Sequence, residues 1–483
     1  MATSAANIPL APFATLFMDN TRSLRTLSIA VVILCDLVYN ETRKDWIIGG
    51  IEAVTAGFYT LGCKVNQYET HALSRLLEQA GIQTVPLSQS PDVVVLNSCT
   101  VTAESDRKDR QALRRLRREH PSAILVLTGC MPQAFPQRAA ALEEADVITG
   151  NAGNDRLVEL IERFLSTRKR VVDIPAHAKR ISSLAPDGFG DRTRAYIKVE
   201  DGCDRYCSYC IIPTSRGRVR SKPPEAVAAE AAALAKRGFL EVVLVGINLS
   251  AYGQGEGYTL ADAVEAAAKA PGLRRVRLGS LEPDQLTPAI IDRLAGCDKL
   301  CPQFHLSLQS GCDQTLRRMN RHYDTAFYRR LCSQLREQFG GEAACAITTD
   351  VMVGFPGETQ EEFAASLAFV EEIGFAKAHV FSYSRREGTV AARASGQIAA
   401  AEKQRRSHAM MEAAARGSRR FLNAQVGRLE EVLLEARAEG GSHGYTANYT
   451  PVRLTHGCPP AGQVVGVRIT SVEGECCIAQ PEI

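Results

Sequence analysis

The chain has 483 residues, 45% hydrophobic and 23% charged. That is too long for one core and too ordinary in composition for a collagen-like, disordered or multi-span membrane protein. A net charge of only +3 leaves any affinity for a polyanion to local clusters, and a single Trp with 6% aromatics excludes a wall of stacking rings.

At roughly 150 residues per domain, about three folding units are expected. Fifteen cysteines in a chain without a clear export signal point to metal or redox chemistry rather than disulfides. The apolar run at residues 27–35 ends at Asp36. It falls short of the ~20 residues of a spanning helix and precedes no small-x-small cleavage site. Residues 1–55 therefore read as a poorly ordered extension, and Cys35 within it as a small apolar residue.

Residues 56–168 show short apolar runs, each followed by a helix-like stretch: Phe58–Leu61, Asp92–Leu96, Ala123–Leu127 and Ala145–Thr149. Such alternation predicts βαβ units on an open parallel sheet. A basic, Pro-containing connector, roughly 166–191, follows. In residues 189–420 the rhythm resumes with Ala195–Val199, Glu241–Val245, Arg275–Leu278, Gln303–Leu308, Ala346–Val353 and Ala378–Tyr383. Six strands alternating with helices such as 224–237 and 360–373 suit a partial (βα)6 barrel. After a helix at about 398–421, residues 422–483 carry short Gly-separated strands: Leu429–Glu435, Gly444–Tyr449, Pro451–Leu454, Gln463–Thr470 and Cys476–Ala479. They predict a small all-β, OB-like barrel.

The sharpest motif, Cys203-x3-Cys207-x2-Cys210, directly follows the first strand of the middle domain. On a straight helix these thiols would spread over about 10 Å. A loop curled round an iron–sulfur cluster is expected instead, with Pro213 barring early helix. Three ligands on four irons leave one iron open to a small molecule, whereas four cysteines normally serve electron transfer alone. A zinc knuckle lacking its fourth ligand, or a reduced structural trio, is the bland alternative. The place at a strand's carboxyl end, where barrel active sites lie, favours the cluster.

Cys63, Cys99 and Cys130 each lie just beyond the carboxyl end of a strand in the first sheet, 36 and 31 residues apart. Parallel strands bring those ends to one edge, with neighbours about 4.8 Å apart. Three ordinary buried cysteines are the alternative. Their recurrence at the same point of successive βα units favours a second cluster.

The triad and barrel resemble the radical S-adenosylmethionine superfamily. Tyr209 stands where that family packs the adenine, and Val245–Asn248 where it meets the methionine moiety. Arg277–Pro283, His305–Gly311 and Asp350–Thr359 end the next three strands at the same rim. Two cysteine trios and a β-module resemble the radical methylthiotransferases over about residues 57–480. Tyr59–Glu69 and Asn97–Thr102 resemble most nearly the branch acting on N6-threonylcarbamoyladenosine in tRNA; Phe381–Thr389 also matches the family. The last module resembles the TRAM domain, an RNA-binding barrel.

The resemblance implies two 4Fe-4S clusters, on Cys63/Cys99/Cys130 and on Cys203/Cys207/Cys210, with S-adenosylmethionine at the second. Tyr209, Gly246, Asn248, Gln309 and Asp350 are its implied cofactor contacts; no general acid or base is nominated. It implies a cytoplasmic enzyme placing a methylthio group on C2 of the modified adenine in the tRNA anticodon loop. A low-potential flavodoxin- or ferredoxin-type electron donor and a sulfur donor are implied partners, and no membrane is. Two other readings stand beside it: the same chemistry on isopentenyladenosine or a ribosomal-protein aspartate, and a non-enzymatic iron–sulfur RNA-binding or sensor protein.

Cys297, Cys301, Cys312, Cys332, Cys345, Cys458, Cys476 and Cys477 share no rim and read as structural. Three basic runs flank the expected cleft as candidate phosphate contacts: Arg107–Arg118, Arg168–Arg180, and Arg216, Arg218, Arg220 and Lys222. The last module has four Arg and no Lys against seven Glu, a net charge of −3, which is the wrong sign for an RNA binder as a whole.

Overall fold

Strands buried on both faces read as unbroken apolar runs, and Val93–Ser98 and Ile124–Gly129 are buried at every residue. In the computed structural model they form the centre of a six-stranded parallel sheet. Its order is Gln83–Thr84, Thr55–Thr60, Val93–Ser98, Ile124–Gly129, Val147–Ile148, Val171–Val172. The structure describes residues 54–483 except 191, 439–440, 456–458 and 483. Nearly all of the expected extension, with Cys35, and also Cys458 lie outside the described residues. The two outermost strands are two residues long, too short to register as apolar runs. Val171–Val172 falls within the segment read as connector, so the sheet continues past residue 168.

The middle domain holds the six expected parallel strands: Arg194–Lys198, Glu241–Val245, Arg275–Leu278 continued by Ser280–Leu281, Gln303–Leu306, Ala346–Val353 and Lys377–Ser382. Gly279 breaks the third. Its first part pairs with the second strand and its short continuation with the fourth, so the wall splits into sheets of three and four. Helices such as Pro224–Lys236 and Gln360–Ile373 cover the outside, the latter opened by a Thr359/Glu362 capping box. The helix Ala400–Asn423 leads to a closed five-stranded barrel, Leu429–Ala438 to Cys476–Pro481. Cys477 is buried in its core and its neighbour Cys476 only half-buried, as the alternation of a strand requires. Cys301, Cys312, Cys332 and Cys345 are buried and Cys297 packs against the main core. No helix among the described residues is long and apolar enough to cross a membrane.

Charged side chains, mostly buried, join the three parts. Arg386, after the last middle-domain strand, reaches Asp106 (2.6 Å) and Thr100 of the first sheet; both ion-pair partners are under 8% exposed. On the other side, Arg275 donates to the Glu431 carbonyl (2.6 Å) and Arg277 to the Ala447 carbonyl (2.9 Å) of the terminal barrel. The Arg194 and Arg277 guanidinium groups lie 5.2 and 4.7 Å from the Tyr449 ring centroid.

Breaking a buried pair strands the other charge. Arg386→Met should therefore cost about 3–5 kcal/mol in urea unfolding. Arg386→Met combined with Asp106→Leu should recover most of that loss.

Candidate active site

The first three core strands end side by side, and the loops that follow carry Cys63, Cys99 and Cys130. Gly62 (φ +111°) makes the turn before Cys63; a Cβ there would lie 3.1 Å from that of Cys99. Gly129 (φ +99°) does the same before Cys130, where a Cβ would meet Asn97 and the Ser98 backbone at 2.5–2.6 Å. Asn66, one turn into the helix Lys64–Gln79, sits at the centre. Its Oδ1 lies 3.4 Å from Cys63 Sγ and 4.0 Å from Cys130 Sγ. Its Nδ2 donates to the Ser98 carbonyl (2.8 Å), and Asn97 donates back to the Asn66 carbonyl (3.0 Å). The two amides thus staple the helix to the strand Val93–Ser98, which Cys99 follows. Cys63 is exposed; Cys99 and Cys130 are buried.

The barrel trio is held by a curl rather than a helix. Gly202 and Tyr206 adopt positive φ (+94° and +50°), and Cys203 N donates to the Gly217 carbonyl, Cys210 N to the Cys207 carbonyl. Regular helix begins only at Ile212, with Pro213 in its first turn, as the sequence led one to expect. Arg321, nearly fully buried, donates to Cys207 Sγ at 3.1 Å, pairs with Glu282 at 2.6 Å and reaches the Ser307 carbonyl at 3.2 Å.

Arg216 joins the trios. It ends the short helix Ile212–Arg216 that follows Cys210, and its side chain is wholly buried. Its Nε donates to Cys130 Sγ (3.2 Å), Nη2 to Asn66 Oδ1 (3.1 Å) and Glu69 Oε2 (2.9 Å), and Nη1 to Glu69 Oε1. Lys198 bridges Glu69 and Asp201 at 2.7 Å each, and Arg220 pairs with Asp201 at 3.2 Å. Three cations thus meet two carboxylates, and the surplus positive charge faces the Cys130 sulfur. Burial alone would raise the Glu69 carboxyl, but Arg216 and Lys198 outweigh it and hold Glu69 below the usual range. The third basic run is accordingly no phosphate-binding surface: Arg216, Arg220 and Lys222 are turned inward to carboxylates, Lys222 to Glu230, and Arg218 alone of the four is exposed. In the second run Arg170 is spent on the carbonyls of Ala140, Leu142 and Ala145.

Burial pushes the Cys130, Cys203 and Cys210 thiols up to about 12, and raises Cys99. Such thiols ionise at neutral pH only when a bound cation offsets their burial. Among the described residues, no three His, Cys, Asp or Glu side chains converge as ligands of a single ion do. At the barrel rim, the Asn248 carboxamide is buried with neither its oxygen nor its nitrogen partnered. An unmet buried amide costs about 1–3 kcal/mol, so its place suits a polar ligand. Asn248 N donates to Glu200 Oε2 (2.7 Å), and Gly246 lies so close that a Cβ would come within 2.6 Å of the same oxygen. Tyr209 packs its ring against Phe355 (6.3 Å). Gln309 takes φ +66° and pairs through its backbone with Asp350 and Met352. Asp350 lies mid-strand, 3.4 Å from His305 Nε2.

Residues 197–370 match the radical SAM superfamily and 55–150 match "Uncharacterized protein family UPF0004". A radical S-adenosylmethionine methyltransferase, TsrM, from Kitasatospora setae shares the fold at TM-score 0.52 and 16% identity, over 68% of this chain and 75% of that one. The chain is thus a radical S-adenosylmethionine enzyme, a class that carries a 4Fe-4S cluster and S-adenosylmethionine. The threonylcarbamoyladenosine tRNA methylthiotransferase MtaB of Bacillus subtilis is 35% identical over 86% of this chain and 93% of its own length. That of Thermotoga maritima is 35% identical over 88% and 96%. The tRNA-2-methylthio-N(6)-dimethylallyladenosine synthase of Symbiobacterium thermophilum is 34% identical over 86% and 93%. With such identity over nearly their whole length, this chain belongs to the radical S-adenosylmethionine tRNA methylthiotransferases.

Sequence reasoning missed Asn66, Arg216, Glu69 and Arg321. Asn66 and Glu69 stood inside a quoted motif, but nothing in the sequence marked Arg216 or Arg321 as buried.

The carboxylates of the Arg216 network stabilise the fold fully above their unfolded pKa, and that contribution is lost as pH falls through the lowered folded values. The stability gap between wild type and Glu69→Gln should therefore be widest near pH 7 and shrink below about pH 4, as urea titrations at several pH values would read.

Proposed function

We propose that this protein transfers a methylthio group to C2 of N6-threonylcarbamoyladenosine beside the tRNA anticodon, acting in the cytoplasm. In this reading Cys203, Cys207 and Cys210 hold the cluster that binds S-adenosylmethionine, and Cys63, Cys99 and Cys130 hold a second 4Fe-4S cluster. One observation carries it: the helix that leaves Cys210 ends in a guanidinium 3.2 Å from the Cys130 sulfur, which ties the segment after one trio to a sulfur of the other.

When bound, these cofactors supply the radical that removes hydrogen from C2 and the sulfur that replaces it. The chain supplies placement and exclusion of water. Asn248 and the close-packed Gly246 would hold the polar end of S-adenosylmethionine and Tyr209 would pack its adenine, with Gln309 and Asp350 as further contacts. Arg321 and Arg216 direct N–H groups at cluster sulfurs, which stabilises their negative charge. Electrons come from a flavodoxin- or ferredoxin-type donor and sulfur from a separate donor.

RNA phosphates meet the first basic run. Arg107, Lys108, Arg110, Arg114, Arg115 and Arg118 are exposed along the helix Ala103–Glu119. Four of them line a groove of about 530 Å³ with Tyr59 and Leu61, beside the Cys63 loop. The 34% identity to the dimethylallyladenosine enzyme supports a second reading, in which the base carries an isopentenyl group.

Nucleoside mass spectrometry of tRNA from a deletion strain decides between them. Loss of the 2-methylthio mark from N6-threonylcarbamoyladenosine is expected, and its loss from isopentenyladenosine would overturn the choice. Cys99→Ala should retain about half of the iron of the reconstituted protein, one cluster of two, and cleave S-adenosylmethionine without inserting sulfur.

A further inference from the structure

The inner wall of the barrel presents two groups that the fold itself does not use. Strand Lys377–Ser382 packs Ala378 and Val380 on the core and turns Lys377, His379 and Phe381 the other way. In register, His379 lies beside Asp350 and Phe381 beside Met352. Phe381 is 51% exposed, a large apolar ring left open to water on a strand of the central wall. The His379 imidazole has no hydrogen bond or ion pair among the described residues; its ring meets only that of His305, at 6.0 Å.

Within electrostatic reach of His379 lies Lys64, the residue after Cys63 and the first of the helix Lys64–Gln79. Its ammonium has no hydrogen bond or ion pair among the described residues. It lines a cavity of about 300 Å³ with Arg192, Arg194, Tyr196, Val243, Arg277, Glu435 and Tyr449. Arg194 and Arg277 share the buried Glu241, each at 2.7 Å, and Arg194 also takes Glu435, so these carboxylates are engaged. Asp350 is engaged by His305. The Lys64 charge also reaches His379. An unpaired ammonium in a cation-rich cavity is a place for an anion.

We propose that Phe381, His379 and Lys64 form the receptor for the modified base. Phe381 stacks on the purine, and Lys64 with His379 takes the carboxylate of the threonylcarbamoyl arm. The inference rests on the function proposed above and names what selects that substrate. A site built to meet a charged group discriminates strongly against an analogue lacking it, whereas an apolar pocket for an isopentenyl arm discriminates weakly. A half-exposed ring offers the base a stacking face that costs the fold nothing to free.

The test uses the full chain, reconstituted anaerobically, and anticodon stem-loop RNAs bearing threonylcarbamoyladenosine, its carboxyl methyl ester, or unmodified adenosine. Wild type should bind the acid at least about tenfold more tightly than the ester. Lys64→Met should erase that preference while keeping wild-type iron content, and Lys64→Arg should restore it. Phe381→Ala should weaken acid and ester alike by about tenfold, and Phe381→Tyr should not. Equal weakening of all three RNAs by Lys64→Met would make Lys64 a phosphate contact and overturn the proposal. So would a wild type indifferent to the ester. If instead wild type modified only an isopentenyladenosine stem-loop, the proposed function itself would fall.

Discussion

One guanidinium sets the arrangement of the whole centre. Arg216 is charged and fully buried, a state tolerable only while every N–H finds an acceptor. It finds them in a thiol, an amide and a carboxylate that all belong to the first domain, whereas its own backbone belongs to the barrel. The barrel's cysteine loop and the first sheet are therefore fixed to each other by the same side chain that touches the Cys130 sulfur. Any shift between the domains breaks charge-assisted bonds in a dry interior, where each is worth more than at the surface.

The same logic recurs around the site. Arg386 reaches into the first domain, Arg321 ties the barrel cysteine loop to the third and fourth strands, and Arg194, Arg275 and Arg277 share Glu241 before reaching the terminal barrel. Arginine suits these places because it stays charged when buried and its planar fork serves several acceptors at once. Much of the basic character that suggests nucleic-acid binding in the sequence is thus internal. What remains outside lies on the Ala103–Glu119 helix, beside the loop that carries Cys63, and at Arg168, Lys169, Lys179, Arg180 and Arg218.

Much of this was legible in the sequence. The parallel rhythm placed Cys63, Cys99 and Cys130 at one sheet edge, because strand direction alone decides where a strand's carboxyl end lies. All six barrel strands were readable for the same reason. The outer strands Gln83–Thr84 and Val171–Val172 were not, since two residues carry no periodicity. Arg216 was misread as a surface cation because its partner Glu69 is 147 residues away, and a run of basic residues has no depth until the chain is folded. The exposure of Phe381 was hidden likewise: an alternating strand announces two faces but not which of them has a neighbour.

The arginines that grip the terminal barrel have a consequence for how RNA arrives. They hold its backbone carbonyls, and Arg194 and Arg277 lie against the Tyr449 ring, at the amino-terminal ends of the central strands. A module clamped at its main chain cannot swing like a hinged jaw. Whatever RNA it touches must be presented to a preset scaffold, and the bending needed to bring a base inside falls on the RNA, not on the enzyme.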